Sequence, residues 1–171
     1  AGTDTTALTI TWTMHLLMEH PAHMRRLRDE VIAAFPNLDV KITHDALQSL
    51  PFLDAVLHES MRVRAIVPYG MSRVIPEGGI TLGGYYLPAG TTVSSSLNSL
   101  HYNEKVFPEP ERFLPDRWLT ATARQLGHMK HHFIPFSLGP RACIGRSLAW
   151  MEIRLAVAEV VRRFDFTALP G

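Results

Sequence analysis

Residues 136–145 read Phe136-Ser137-Leu138-Gly139-Pro140-Arg141-Ala142-Cys143-Ile144-Gly145, and this stretch holds the one cysteine of the 171-residue chain. A lone cysteine in a featureless helix reads as a small buried hydrophobe. Cys143 has a different setting: a loop carrying glycine and proline, two residues after an arginine and two before a glycine that opens a helix. Free amides at such a helix start, with the positive end of its dipole, favour the thiolate, the form of cysteine that binds a metal. Glycines in the loop let the backbone approach a flat ligand closely. With no second cysteine there is no intrachain disulfide, which fits a reducing compartment or a thiol kept for chemistry.

Working outward from this loop, residues 145–163 predict a largely apolar helix with Leu148, Met151, Leu155, Ala158 and Val161 among its inner positions. On the other side, residues 104–142 contain five of the chain's twelve prolines (Pro108, Pro110, Pro115, Pro135 and Pro140), so few regular elements are expected there. A long ordered loop of this kind is more often functional than idle. Between Tyr69 and Ser95 the hydrophobic period falls towards two. The breakers Pro76-Glu77-Gly78-Gly79, Gly83-Gly84 and Pro88-Ala89-Gly90 cut the stretch into short strands, predicting one small antiparallel sheet.

Earlier in the chain, residues 52–63 predict a helix with Phe52, Leu53, Val56 and Leu57 inward, and Thr43 with Asp45 marks a short helix before it. Pro21 opens a helix whose apolar face is Leu27, Val31, Ile32 and Phe35. Arg25, Arg26, Arg28, Asp29 and Glu30 lie on its wet side, and Pro36-Asn37 ends it. Over residues 1–20, Leu8, Ile10, Trp12, Met14, Leu16, Leu17 and Met18 are too many apolar positions for one stripe, so this helix is expected to be buried on most sides. It is entered without a cap and without an initiating Met, which reads as an excerpt from a longer chain. The expectation is a single partial domain over residues 1–171, mainly α with a small antiparallel β-sheet.

Seventeen basic residues against sixteen acidic ones leave a net charge of +1, which gives no reason to invoke nucleic acid. The distribution is uneven. Arg124, Lys130, Arg141, Arg146, Arg154, Arg162 and Arg163 face only Glu152 and Glu159 over residues 124–163. No run of eighteen apolar residues and no basic leader before a cleavage site occurs in these residues.

The spacing FxxGxRxCxG is matched in full by Phe136, Gly139, Arg141, Cys143 and Gly145, and the chain resembles the cytochrome P-450 haem-thiolate monooxygenases in the C-terminal portion of their fold. Three further matches follow the family's order. Ala1-Gly2-Thr3-Asp4-Thr5-Thr6 resembles the oxygen-activating segment of the long central helix, Glu59-Ser60-Met61-Arg62 the ExxR pair, and Arg73 the second propionate-binding arginine. The resemblance implies haem b with Cys143 as axial iron ligand, Arg141 and Arg73 on its propionates, and Phe136 shielding the sulfur. It implies that Gly139 and Gly145 shape the loop, and that Ala1 and Gly2 leave room over the iron where the helix often widens. Thr5 would hold the proton-delivering hydroxyl and Asp4 would relay protons from solvent. Val67, Pro68 and Tyr69 fall where a turn lines the substrate pocket, although Ala65-Ile66 stands where the family often has prolines.

Each of these residues also has a plainer reading. Helical threonines usually bond back to a carbonyl one turn earlier, an i,i+3 ion pair on a surface is worth little, and Arg73 suits a solvated strand. A buried ExxR pair needs further partners. Two registers compete to supply one: Pro110-Glu111-Arg112-Phe113 points to Arg112, whereas the wider pattern FxPxRW, beginning at Phe113, points to Arg117 and is preferred here. His128, His131 and His132 raise a zinc reading, but no second ligand cluster is at hand. The group more simply extends the basic patch, which is either a solvated face or, on the haem's proximal side, the surface where an acidic NADPH-dependent reductase would dock.

The implied function is insertion of one oxygen atom of O2 into a small apolar organic substrate, with electrons from NADPH. The implied setting is a parent protein anchored to the cytosolic face of the endoplasmic reticulum through a segment outside these residues. Phrases resembling fungal members suggest secondary metabolism. Two rivals remain: a haem-thiolate isomerase or dehydratase that does not use O2, and a truncated product without catalysis.

Overall fold

The computed structural model describes residues 2–166. Four helices build the core: α1 (Thr3–Glu19), α2 (Pro21–Ala34), α4 (Pro51–Val63) and α8 (Arg146–Arg163). Prolines set two of the boundaries. His20 and Leu50 each precede a proline and leave the helical region (φ −125°, ψ 73° and φ −92°, ψ 99°), and Pro21 and Pro51 then start α2 and α4 without needing an amide partner. The amides of Phe52 and Leu53 donate to the two carboxylate oxygens of Glu30 at 2.9 and 2.8 Å. That anion on the positive end of α4 locks α2 against it. Glu30 is therefore half-buried at a helix start, not on the wet side.

Leu17, Leu27, Val31, Leu53, Leu57 and Val157 are wholly removed from solvent where these helices meet. The face of α2 is narrower than its pattern suggested, since Ile32 is exposed. The short α3 (His44–Leu47) is capped by the Thr43 hydroxyl, which accepts the Ala46 amide. A satellite cluster of Ala55, Val106, Phe107, Trp118 and Met129 lies under the proline-rich segment.

The predicted sheet is two separate antiparallel ribbons. Strands β1 (Arg73–Val74) and β4 (Thr92–Val93) pair as Arg73↔Val93, and inside them β2 (Ile80–Leu82) pairs with β3 (Tyr85–Leu87). Gly83 and Gly84, at φ 56° and 86°, form the two-residue turn of the inner ribbon, where positive φ at both positions matches the strand twist. α5 (Leu97–His101) follows. The proline-rich stretch holds more helix than expected, because no proline interrupts residues 116–134. There α6 (Arg117–Thr120) and α7 (Ala123–His132) form, α7 with a capping box in which Thr122 and Gln125 exchange hydrogen bonds.

Two helices bury different faces from those expected. α1 inserts Thr6, Thr9, Thr13, Leu16 and Leu17 into the core and leaves Leu8 and Trp12 exposed. Thr9 and Thr13 can be buried because their hydroxyls bond back, to the Thr5 and Thr9 carbonyls respectively, both at 2.8 Å. α8 packs through Ile153, Val157, Ala158 and Val161, so Leu148 and Met151 point outward and Leu155 is half-buried.

Candidate functional site

The cysteine loop is closed by its own backbone. The amide of Ser137 donates to the Ile134 carbonyl (2.9 Å), that of Ala142 to Gly139 (3.0 Å), and that of Cys143 to Phe136 (2.8 Å). Gly139 turns the chain at φ 70°, and Ser137 does so at φ 61°, a left-handed conformation that costs a non-glycine residue about 1 kcal/mol. Gly139–Arg141 forms a single 3-10 turn, after which Cys143 stands exposed immediately before α8. The Phe136 ring is half-buried, 6.0 Å from Trp150, with the Arg146 guanidinium 5.9 Å away. A Cβ at Gly145 would stand 3.9 Å from the Cys143 sulfur, so alanine fits there but a larger side chain competes for the space beside the thiol.

The donor set suits haem. Exposed aliphatic side chains accompany the thiol: Leu138 and Ile144 in the loop, and Leu148 in the first turn of α8. A soft sulfur donor with exposed apolar neighbours fits iron in a flat apolar macrocycle better than a hydrated ion. Arg141 is exposed in the 3-10 turn. Arg73 is half-buried in β1 and donates to the carbonyls of Met71 and Ser72. Neither has a carboxylate partner among the described residues, so both guanidiniums are available to an acidic ligand.

Glu59 and Arg62 are both 0 % exposed and form a bidentate pair at 3.0 and 2.8 Å. Burying two charges is tolerable only when the rest of their hydrogen-bonding capacity is used. Arg62 also donates to the carbonyls of His101, Pro110 and Arg112. Glu59 accepts further from the Leu114 amide, Arg117 Nε and Trp118 Nε1 at 3.0, 3.0 and 2.8 Å. The arginine that joins the pair is Arg117; the Arg112 side chain is exposed beside Glu109 and contributes only its carbonyl. Arg117 continues to the Pro108 carbonyl at 2.8 Å, so one network ties α4 to the whole meander before α7.

On α1, Asp4 and Thr5 are exposed in the first turn, and the Thr5 carbonyl takes the Thr9 hydroxyl. A Cβ at Gly2 would meet nothing within 4 Å. Ala1 lies outside the described residues. From Thr3 onward α1 is regular α-helix without the expected widening, with Thr9 and Thr13 each spending a hydroxyl on the turn behind it. Val67 and Pro68 are half-buried and Tyr69 is exposed. Their turn is fixed by Gly70, whose amide donates to the Val67 carbonyl and whose φ of 70° and close approach to the Ser95 carbonyl exclude any side chain.

Of the seven basic residues after 123, Arg154 pairs with Asp54, and Arg162 and Arg163 pair with Glu159. Arg124, Lys130, Arg141 and Arg146 remain exposed without an ion pair among the described residues. The rings of His128 and His131 each meet His132 edge-on, at 4.6 and 5.3 Å. No group of three or more His, Cys, Asp or Glu among the described residues is arranged to hold a metal ion. Two histidines that the pattern left unremarked lie inside: His58, half-buried among Trp118, Phe133 and Trp150, and His101, buried beside Phe133. Burial lowers the pKa of His58, and burial aided by the Arg62 guanidinium pushes His101 down to about 4.

The family model for cytochrome P-450 matches residues 1–171. A cytochrome P-450 monooxygenase of Aspergillus niger is 42% identical over 164 residues, covering 96% of this chain and 32% of that protein. One from Botryotinia fuckeliana is 38% identical over 167 residues, covering 98% and 32%. The chain thus spans about a third of the length of these curated relatives. A zebra fish cytochrome P-450 solved with progesterone superposes with a TM-score of 0.85 at 35% identity, covering 96% of this chain and 36% of that one. With the match running from the first residue to the last and the fold superposing this closely, the chain belongs to the cytochrome P-450 family.

Proposed function

We propose that this chain forms the haem-binding part of a monooxygenase that inserts one oxygen atom of O2 into a small apolar organic substrate, drawing electrons from NADPH through a reductase. The observation that carries the reading is the exposed Cys143 thiol, on a self-closed loop whose Cys143 amide donates to the Phe136 carbonyl just before α8. Haem b, when bound, supplies dioxygen binding and its reductive activation. Cys143 would ligate the iron as thiolate, Arg141 and Arg73 would hold the propionates, and Phe136 would keep water from the sulfur. Gly139 and Gly145 would keep the loop low beside it, and Gly2, at the start of α1, would leave room for dioxygen.

The remaining roles belong to protons, substrate and support. Asp4, exposed at the start of α1, would take protons from solvent, and the Thr5 hydroxyl one residue on would pass them inward. The turn at Val67, Pro68 and Tyr69 would face substrate. Glu59, Arg62 and Arg117 are structural, since their donors and acceptors are occupied by one another and by backbone. Arg124, Lys130, Arg141 and Arg146 offer an acidic reductase a basic face.

No helix among the described residues is long and apolar enough to cross a membrane. The protein would be held at the cytosolic face of the endoplasmic reticulum by a segment outside this chain, as a fungal enzyme of secondary metabolism. The test is NADPH and O2 consumption by the haem-loaded protein with a reductase. Consumption that vanishes in Cys143→Ala supports the reading. Bound haem without any uptake of electrons would instead identify an enzyme that rearranges or dehydrates its substrate.

A further inference from the structure

The ion-pair network and the cysteine loop meet at one side chain that neither motif contains. His101 ends α5 and is 0 % exposed. Its carbonyl accepts from Arg62 Nη1 at 2.9 Å, which makes its backbone part of the network. Its ring faces the other way: Nε2 accepts the Ile134 amide at 3.3 Å, and the ring stacks on Phe133 with centroids 5.4 Å apart and planes 27° from parallel. Ile134 stands at the root of the cysteine loop, since its carbonyl takes the Ser137 amide and Phe136 takes the Cys143 amide. Among the described residues, this is the single side-chain hydrogen bond to the backbone of residues 133–143.

The chemistry of the ring suits this task. Accepting an amide through Nε2 requires a neutral imidazole with its proton on Nδ1, and Nδ1 has no partner among the described residues. A side chain chosen only to fill space would not bring an unsatisfied buried N–H with it. Burial and the nearby Arg62 keep the ring neutral at physiological pH.

We infer that His101 is the positioning residue through which the Glu59–Arg62–Arg117 network holds the cysteine loop in the shape that presents Cys143 to iron. The inference rests on the reading of Cys143 as haem ligand. Its test uses the haem-loaded protein with two substitutions. His101→Phe keeps the stack on Phe133 but has no acceptor, and His101→Gln keeps an acceptor without the ring. Three quantities are read: amide exchange at Ile134, the red-shifted band of the reduced carbon monoxide complex that reports thiolate ligation, and far-UV circular dichroism for the overall fold.

In His101→Phe, exchange at Ile134 and loss of the thiolate band in mild denaturant should both quicken on the order of tenfold while the dichroism is unchanged. His101→Gln should stay near wild type in both. Wild-type exchange and band stability in His101→Phe, or loss of the band only in step with unfolding, would overturn the inference. If His101→Phe does not accumulate, His101→Gln decides: protection at Ile134 with loss of the band also overturns it. A wild-type protein lacking the thiolate band would instead sink the reading of Cys143.

Discussion

Replacing Arg117 with Ala should destabilise the haem-loaded protein by about 2–4 kcal/mol, whereas replacing Arg112 should cost about 0–1 kcal/mol. The two arginines lie five residues apart and both reach the same meander, so the contrast isolates what each side chain touches. Arg117 Nε is 3.0 Å from Glu59 Oε1, with side chains 9 % and 0 % exposed. Removing it takes one of five donors from a fully buried carboxylate and leaves the Pro108 and Glu109 carbonyls without their partners. Four donors remain on Glu59, which keeps the expected cost below that of deleting Arg62. Arg112 places its guanidinium against Glu109 at 63 % and 57 % exposure, where solvent screens the pair, and its carbonyl survives substitution. Denaturant unfolding of the holoprotein measures both. Equal losses, or a larger loss for Arg112→Ala, would refute the assignment of the third member of the network.

Three other outcomes follow from the same structure. Thr5→Ala should leave haem bound while raising hydrogen peroxide released per NADPH consumed, because proton delivery becomes misplaced; an unchanged ratio removes Thr5 from the mechanism. Stability should be full above about pH 6.5 and fall by about 3 kcal/mol between pH 6.5 and 4, because unfolded His101 takes up a proton near 6.5 and the folded residue only near 4. Denaturation midpoints across that range check this, and His101→Gln should flatten the fall. Residues 1–171 expressed alone should associate through exposed Leu8, Trp12, Tyr69 and Met71, which size-exclusion chromatography would show; a monodisperse monomer would contradict it.

What the sequence made legible depends on whether a feature is local. The helix starts at Pro21 and Pro51 and the Gly83-Gly84 turn follow from backbone constraints carried by those residues. The inward set Phe52, Leu53, Val56 and Leu57 follows from helical period. The cysteine loop was legible because its spacing is dense over ten residues. Long-range pairing was not. Nothing near Glu30 announces that it caps a helix twenty-two residues later, and His101 meets Ile134 only after the meander has folded back. Helix faces were misread where polarity misled: Thr9 and Thr13 are buried through back-bonding, and Leu148 and Met151 are exposed beside the cysteine loop. Trp118 was visible in the pattern around Arg117, but its indole donation to Glu59 becomes evident only once both are placed in space.

The central claim is that Cys143 is the thiolate ligand of a haem iron. The reduced carbon monoxide difference spectrum of the haem-loaded protein, taken beside Cys143→Ala, tests it directly. The red-shifted thiolate band should appear in the wild-type protein and be wholly absent from the variant, because the chain has no other cysteine. A variant that keeps the band, or a wild-type protein that binds haem without showing it, would contradict the account.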